Sequence, residues 1–187
     1  MNTILAQKRD PAAKAKQLRR SGIVPCVIYG AGLKESLSVQ IDQRAARQLQ
    51  RTKRNGSKVN IQVDGKTYPT LIKDLGYDSM NDEIVHVSFQ VLAEGKKFNS
   101  VADIVLINKE KVTGVLEQMQ MQVPHAAEPE YLLDTVTVNL ENMPIGTTIT
   151  IGDIPEFQSD KIELQADAGN IVLRISEKKR ADVRTEQ

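Results

Sequence analysis

Arg44, Arg47, Arg51 and Arg54 recur at intervals of three and four residues, and in a helix that spacing brings four guanidinium groups to one face. Groups gathered in this way clamp phosphates through paired N–H donors. A second basic run, Lys8, Arg9, Lys14, Lys16, Arg19 and Arg20, lies upstream. Neutralising phosphates with such a surface releases counterions and needs no catalytic group. Tyr29 adds a ring able to stack on an unpaired base, a mode suited to RNA rather than to duplex DNA.

Nucleophilic and metal chemistry is thinly supplied. The histidines are His86 and His125, and the single cysteine is Cys26. Cys26 sits in an apolar run, where a lone thiol is chiefly a small core hydrophobe. A Cys26–His86 pair is all that supports an enzyme. Two histidines far apart in sequence, with no cysteine pair, match no common zinc spacing. The turn Tyr29-Gly30-Ala31-Gly32 lacks both the dinucleotide fingerprint and the Lys-Ser/Thr of a P-loop. His86 alternates with Val85 and Val87, so it reads as a surface or satisfied histidine, with contact to a phosphate or base as the sharper alternative. Met119 and Met121 alternate with Gln118, Gln120 and Gln122, which predicts one strand with both thioethers filling the core. The expectation is a protein without catalysis, metal, cofactor or small-molecule substrate.

Positioning these groups requires elements. Up to Lys16 the chain reads as an irregular basic arm, with a short helix over 12–20 that Gly22 stops. Ile23 to Tyr29 is an apolar, β-branched run, hence a buried strand, and its Pro25 suits an edge or first position. Leu37, Val39 and Ile41 alternate as a half-buried strand, and Asp42 is placed to cap a helix from Gln43 to about Arg54. Ala45, Ala46 and Leu49 form that helix's apolar side, opposite the arginines. Val59, Ile61 and Val63 alternate again, Asp64-Gly65 makes a hairpin turn, and 67–73 returns as partner. A loop over 77–82 precedes a strand over 84–92. Beyond the polar stretch 93–97 the pattern is strand-like, over 102–107, 116–123, 135–140, 148–151 and 171–175.

The fold class expected is mainly β (α+β): a small N-terminal β-barrel with one or two helices, then an all-β domain. The domains are set at 1–92 and 93–178, with a charged tail at 179–187. Hydrophobic residues at 40% and charged residues at 26% fit a soluble globular protein. Aromatics at only 4%, with no Trp, leave Val, Ile and Leu to build the core, which favours sheets. One cysteine excludes a disulfide framework, no segment is apolar enough to span a bilayer, and the N-terminus lacks a signal peptide's apolar region, all pointing to the cytoplasm. Charge divides by half. Residues 1–92 carry 15 Lys and Arg against 8 Asp and Glu, a net +7, whereas 93–187 carry 10 against 16, a net −6. Such asymmetry points to a polyanion-binding module joined to a part with another task.

The run from Leu18 to Gly30, LRRSGIVPCVIYG, resembles the LRxxGxVPAVIYG signature of the bacterial large-subunit ribosomal protein twenty-five family, which includes the general stress protein Ctc. Leu71 to Leu75 followed by His86-Val87-Ser88-Phe89 is similar to that family's KDVQ…HVDF segment. The later Gly114 to Leu116, the loop around 124–129 and the stretch 139–154 resemble the β domain of its longer, two-domain members. The resemblance implies a structural ribosomal protein, cytoplasmic and ribosome-associated, whose N-terminal domain binds 5S ribosomal RNA. The positions matching the family's RNA contacts are Arg9, Arg19, Tyr29 and His86. Ser88 stands where the family has Asp, and Gly76 where it commonly has Gln. The family's Gly-Lys in the arm is replaced by 10–13.

The candidate RNA-binding residues are therefore Arg9, Arg19, Arg20, Tyr29, His86, Ser88, Lys14, Lys16, Arg44, Arg47 and Arg51. The partners expected are 5S ribosomal RNA in the large subunit and neighbouring ribosomal proteins at the acidic second domain. The alternative is a diverged stress-associated paralogue with weakened or altered RNA binding, acting through a protein partner.

Overall fold

A computed structural model of the chain describes residues 3–30, 32–80 and 83–177. The tail expected at 179–187 lies outside the described residues. The fold is mainly β. The first part contains strand β1 (Thr3–Lys8), helix α1 (Ala15–Arg20), β2 (Ile23–Gly30), β3 (Leu37–Asp42), helix α2 (Gln43–Thr52), β4 (Lys58–Val63), β5 (Lys66–Asp78) and β6 (Glu83–Val91). Its strands close into a barrel in the order β1-β3-β2-β6-β5-β4. β1 runs parallel to β4 and β2 parallel to β6; the other neighbours are antiparallel.

Strict alternation drives this closure. Val59, Ile61 and Val63 of β4 point inward and are buried, with polar neighbours outward, and Val24, Cys26 and Ile28 of β2 also point inward, though between them stand Pro25 and Val27 rather than polar residues. α2 joins the same core through Ala46 and Leu49. Asp42 starts it by accepting the Arg44 backbone N–H at 2.6 Å, as its sequence position predicts. Removing the Leu49 side chain would leave a cavity and cost about 2–5 kcal/mol.

Three expectations about this part are corrected. The arm is not irregular throughout, because residues 3–8 form β1 and pair with both β3 and β4; the closed ladder supplies partners that the local sequence does not reveal. Pro25 is not on an edge, since a closed barrel has none. It lies opposite Gln40 of β3, and the β6 register begins one residue later at Cys26, so the missing N–H falls where the parallel ladder starts. β5 also runs on through Tyr77 and Asp78, which were expected in a loop.

The second part contains β7 (Phe98–Ile107), β8 (Val115–Gln118), β9 (Gln122–Ala127), β10 (Thr135–Asn139), β11 (Thr148–Thr150), β12 (Ile162–Leu164) and β13 (Ile171–Ser176). One sheet has the order β10-β7-β9-β12 and the other β11-β13-β8. Ile104, Val123, Val136, Leu173 and Ile175 from the two sheets share one core with Ile151 and Phe157 from short 3-10 turns. The single strand expected over 116–123 is two strands in different sheets. The chain crosses between them at 119–121, so Met119 (55% exposed) and Met121 (68% exposed) fill no core.

The two parts are joined by a third cluster. Leu71, on the outward side of the barrel wall, is fully buried against Leu92, Phe98, Ala127 and Leu132. Polar contacts surround it: Asp134 accepts from Lys53 Nζ at 3.1 Å and from the Lys58 backbone N–H at 3.3 Å, and Lys58 Nζ donates to the Pro129 carbonyl at 3.0 Å. Ser100 donates its hydroxyl to the Gly56 carbonyl at 2.8 Å. Gly56 has φ +90°, and a Cβ there would stand 2.5 Å from Ser100 Oγ and 2.7 Å from the Val101 nitrogen. The backbones therefore meet at a point that only glycine fits.

Candidate nucleic-acid interface

The outward residues of neighbouring barrel strands form a grid. In register across the wall, Ser38 of β3 lies beside Val27 of β2, Val27 beside Ser88 of β6, and Ser88 beside Asp74 of β5. One row along, Tyr29 pairs with Gln90; one row back, His86 pairs with Gly76. Arg9 joins from the end of β1, where its backbone N–H donates to the Ser38 carbonyl at 3.0 Å. Thus Arg9, Tyr29, His86 and Ser88, separated by as much as 79 positions in sequence, share one face of the barrel.

His86 is held from two sides. Its Nδ1 lies 3.0 Å from the Pro25 carbonyl, which can only accept, so Nδ1 donates. In the neutral ring Nε2 is then an acceptor, and the Ser88 hydroxyl donates to it at 3.3 Å. Ser88 thus orients the imidazole. β6 bulges at Val85, skipping one partner between Gly76/His86 and Tyr77/Ile84, and the Val85 carbonyl accepts from Arg19 Nε at 2.9 Å. The bulge anchors α1 beside His86 through the arginine that the signature run carries.

The remaining cations divide. Lys14, Lys16 and Arg20 are exposed on or just before α1, beside the face. Arg44, Arg47 and Arg51 project from α2, and Arg47 pairs with Glu83 at the start of β6. Arg54 is not part of that row. The helix ends at Thr52, and the Arg54 guanidinium folds back onto the Gln50 and Lys53 carbonyls, capping the chain end of α2. Arg9 is also partly engaged, donating from Nη2 to the Ala13 carbonyl at 2.6 Å.

Catalytic pairing of Cys26 with His86 is ruled out by the wall between them. Cys26 points into the core and is 3% exposed, and burial pushes its thiol up to about 12, whereas His86 points outward. His125 is fully buried in the second part, where its Nε2 accepts the Leu133 backbone N–H at 3.2 Å and burial lowers its pKa. Among the described residues no three His, Cys, Asp or Glu side chains gather as a metal site, and no helix is long and apolar enough to cross a membrane. Asp74, one of two acids (with Asp78) that the sequence offers as neighbours of Ser88, is placed beside it by strand register, whereas Gln90 was not singled out by the sequence at all.

A closed barrel carrying a basic helix and a polar row on its outer wall, followed by two further sheets around a second core, defines a mainly β protein built in two parts. Residues 4–89 match the model of the Ribosomal L25p family, and residues 97–179 match that of the ribosomal protein TL5 C-terminal domain. The chain belongs to the ribosomal L25p family, in its two-domain form. Among its relatives is the large ribosomal subunit protein bL25 of Bacillus licheniformis, 27% identical over 160 residues that cover 83% of this chain and 76% of the relative. The bL25 of Finegoldia magna is 27% identical over 178 residues, covering 92% and 84%. That of Exiguobacterium sibiricum is 29% identical over 170 residues, covering 88% and 75%.

Proposed function

We propose that this protein is a non-catalytic structural component of the large ribosomal subunit that binds 5S ribosomal RNA through the outer face of its barrel. It would act in the cytoplasm, as part of the ribosome. The observation that carries the reading is the strand register that gathers Arg9, Tyr29, His86 and Ser88 on one wall, with Arg19 tied to the β6 bulge beside them. Arginines suit phosphates, the tyrosine ring suits an unpaired base, and the held imidazole offers a directed polar contact. The division into domains at 1–92 and 93–178 belongs to the same proposal, as does a basic ribosomal protein as the neighbour of the acidic second domain.

The test is a salt-titrated binding assay of the full chain and its Ser88→Asp variant against 5S ribosomal RNA and an unrelated structured RNA of equal length. Tight, 5S-selective binding by the unmodified chain is expected. Weak, unselective binding that Ser88→Asp tightens would replace this reading with that of a diverged paralogue. Ser88 in place of a carboxylate is the observation that favours that second reading, and Asp74 alongside it is the observation against.

A further inference from the structure

We infer that the RNA-binding surface continues across the junction between the two parts into a phosphate-binding cleft formed by Lys73, Gln90 and Lys96, an inference that rests on the RNA-binding reading above. The cleft has a volume of about 340 Å³ and is lined by Lys73, Gln90, Lys96, Lys97, Phe98 and Asn99. Its placement is what connects it to RNA. Gln90 is the register partner of Tyr29, and it follows Ser88 by two residues along β6, a distance of about 7 Å. Lys73 is the extra residue where β5 bulges between Ile72 and Asp74, the register partner of Ser88. The cleft is thus the next step of the same outer wall, beyond Tyr29 and toward β7.

The electrostatics single out two of its three lysines. Lys97 pairs with Glu163 at 3.0 Å and has its charge matched. Lys73 and Lys96 are exposed and, among the described residues, take part in no ion pair; Lys73 Nζ reaches only the Asn99 carbonyl, at 3.4 Å. Asp74, next to Lys73, and Glu94, in the same loop as Lys96, are the acids nearest in sequence, and neither forms an ion pair with Lys73 or Lys96 among the described residues, so both ammonium groups remain available to a ligand where the basic first part meets the acidic second. Two ammonium groups beside a side-chain amide fit a phosphodiester, with the lysines as point charges and Gln90 as a neutral donor. An RNA strand lying over Tyr29 would then touch the first loop of the second part, which fixes that part's position on the RNA.

The experiment measures affinity of the full chain for a 5S ribosomal RNA transcript over a range of salt. It uses the parent, Lys73→Gln/Lys96→Gln, the charge-conserving Lys73→Arg/Lys96→Arg, a Lys109→Gln control and Arg19→Ala. Expected is a slope of log affinity against log salt shallower by about 1 to 2 in the double Gln variant, restored in the double Arg variant, with Lys109→Gln like the parent. A double Gln variant with the parent's slope and affinity, while Arg19→Ala binds weakly, would overturn the junction cleft and leave the barrel face standing. If Arg19→Ala also binds like the parent, the RNA-binding reading falls first and takes this inference with it.

Discussion

Asp74 of β5 lies in register with Ser88 of β6, both outward, so a carboxylate stands next to the hydroxyl at the position where the resemblance implies an aspartate. Asp74 belongs to the Lys73-Asp74 pair that the resemblance itself carries, so a carboxylate remains on this face although none stands at position 88. Ser88 meanwhile spends its hydroxyl on His86.

If that carboxylate accepts from base amino groups, Asp74→Asn should weaken binding to 5S ribosomal RNA by about 1–3 kcal/mol, a tenfold to hundredfold loss. The salt slope should barely change, because no cation is lost. Binding by Asp74→Asn as tight as the parent's would show that this carboxylate has no part in recognition.

Gly56→Ala should destabilise the whole chain by roughly 2–4 kcal/mol, the combined cost of a side chain at positive φ and of overpacking against β7. Gly95 also has positive φ, +69°, but a Cβ there meets nothing within 4 Å, so Gly95→Ala bears the strain alone and should cost less. Urea unfolding of the two variants compares them. Equal midpoints would mean that the contact between Gly56 and Ser100 does not couple the two parts.

Acid should loosen the second part through His125. Its pKa is lowered in the folded chain because burial disfavours the charged ring, and protonation would also cancel the acceptor that Leu133 N–H uses. The unfolded chain takes up its proton first, near the ordinary value of about 6.5, so stability is fully present above that pH and declines as pH falls through it. Thermal unfolding between pH 7.5 and 5 should therefore show a steeper loss for the parent than for His125→Gln. Parallel curves would refute this assignment.

Cys26 should resist alkylation. With its thiol at about 12 and its side chain in the barrel core, almost no thiolate is present or accessible at pH 8. Iodoacetamide followed by mass measurement should find the native chain unmodified and the urea-unfolded chain fully labelled. Rapid labelling of native protein would mean that the barrel opens often.

What the sequence revealed of this molecule depended on period and signature. Leu37, Val39, Ile41 and Val59, Ile61, Val63 announce their strands by alternation, and Asp42 announces its helix by the capping of Arg44. β1 stayed hidden because Thr3–Lys8 buries only Ala6 fully and owes its strand conformation to β3 and β4, which are distant in sequence. The alternation from Gln118 to Gln122 is real, yet a period of two does not say where a chain leaves one sheet for another. Ile162–Leu164 is too short to carry a period at all. For the candidate face, the resemblance pointed to Arg9, Arg19, Tyr29 and His86, with Ser88 as a departure, while the choice of Asp74 over Asp78 as the neighbour of Ser88, and the place of Gln90, needed the register of β2, β5 and β6, which no local pattern encodes.

The parallel pairing of β2 with β6 has a consequence for biosynthesis. Cys26 meets Val87 and Gly30 meets Val91, and β1 waits likewise for β4, so the contacts that close the barrel join segments made far apart in time. High contact order of this kind slows folding and leaves strand edges open until β6 has left the ribosomal tunnel. Lys8, Arg9 and the arginines of α2 flank those waiting strands. Cations in such positions disfavour edge-to-edge pairing between strands that still lack their partners.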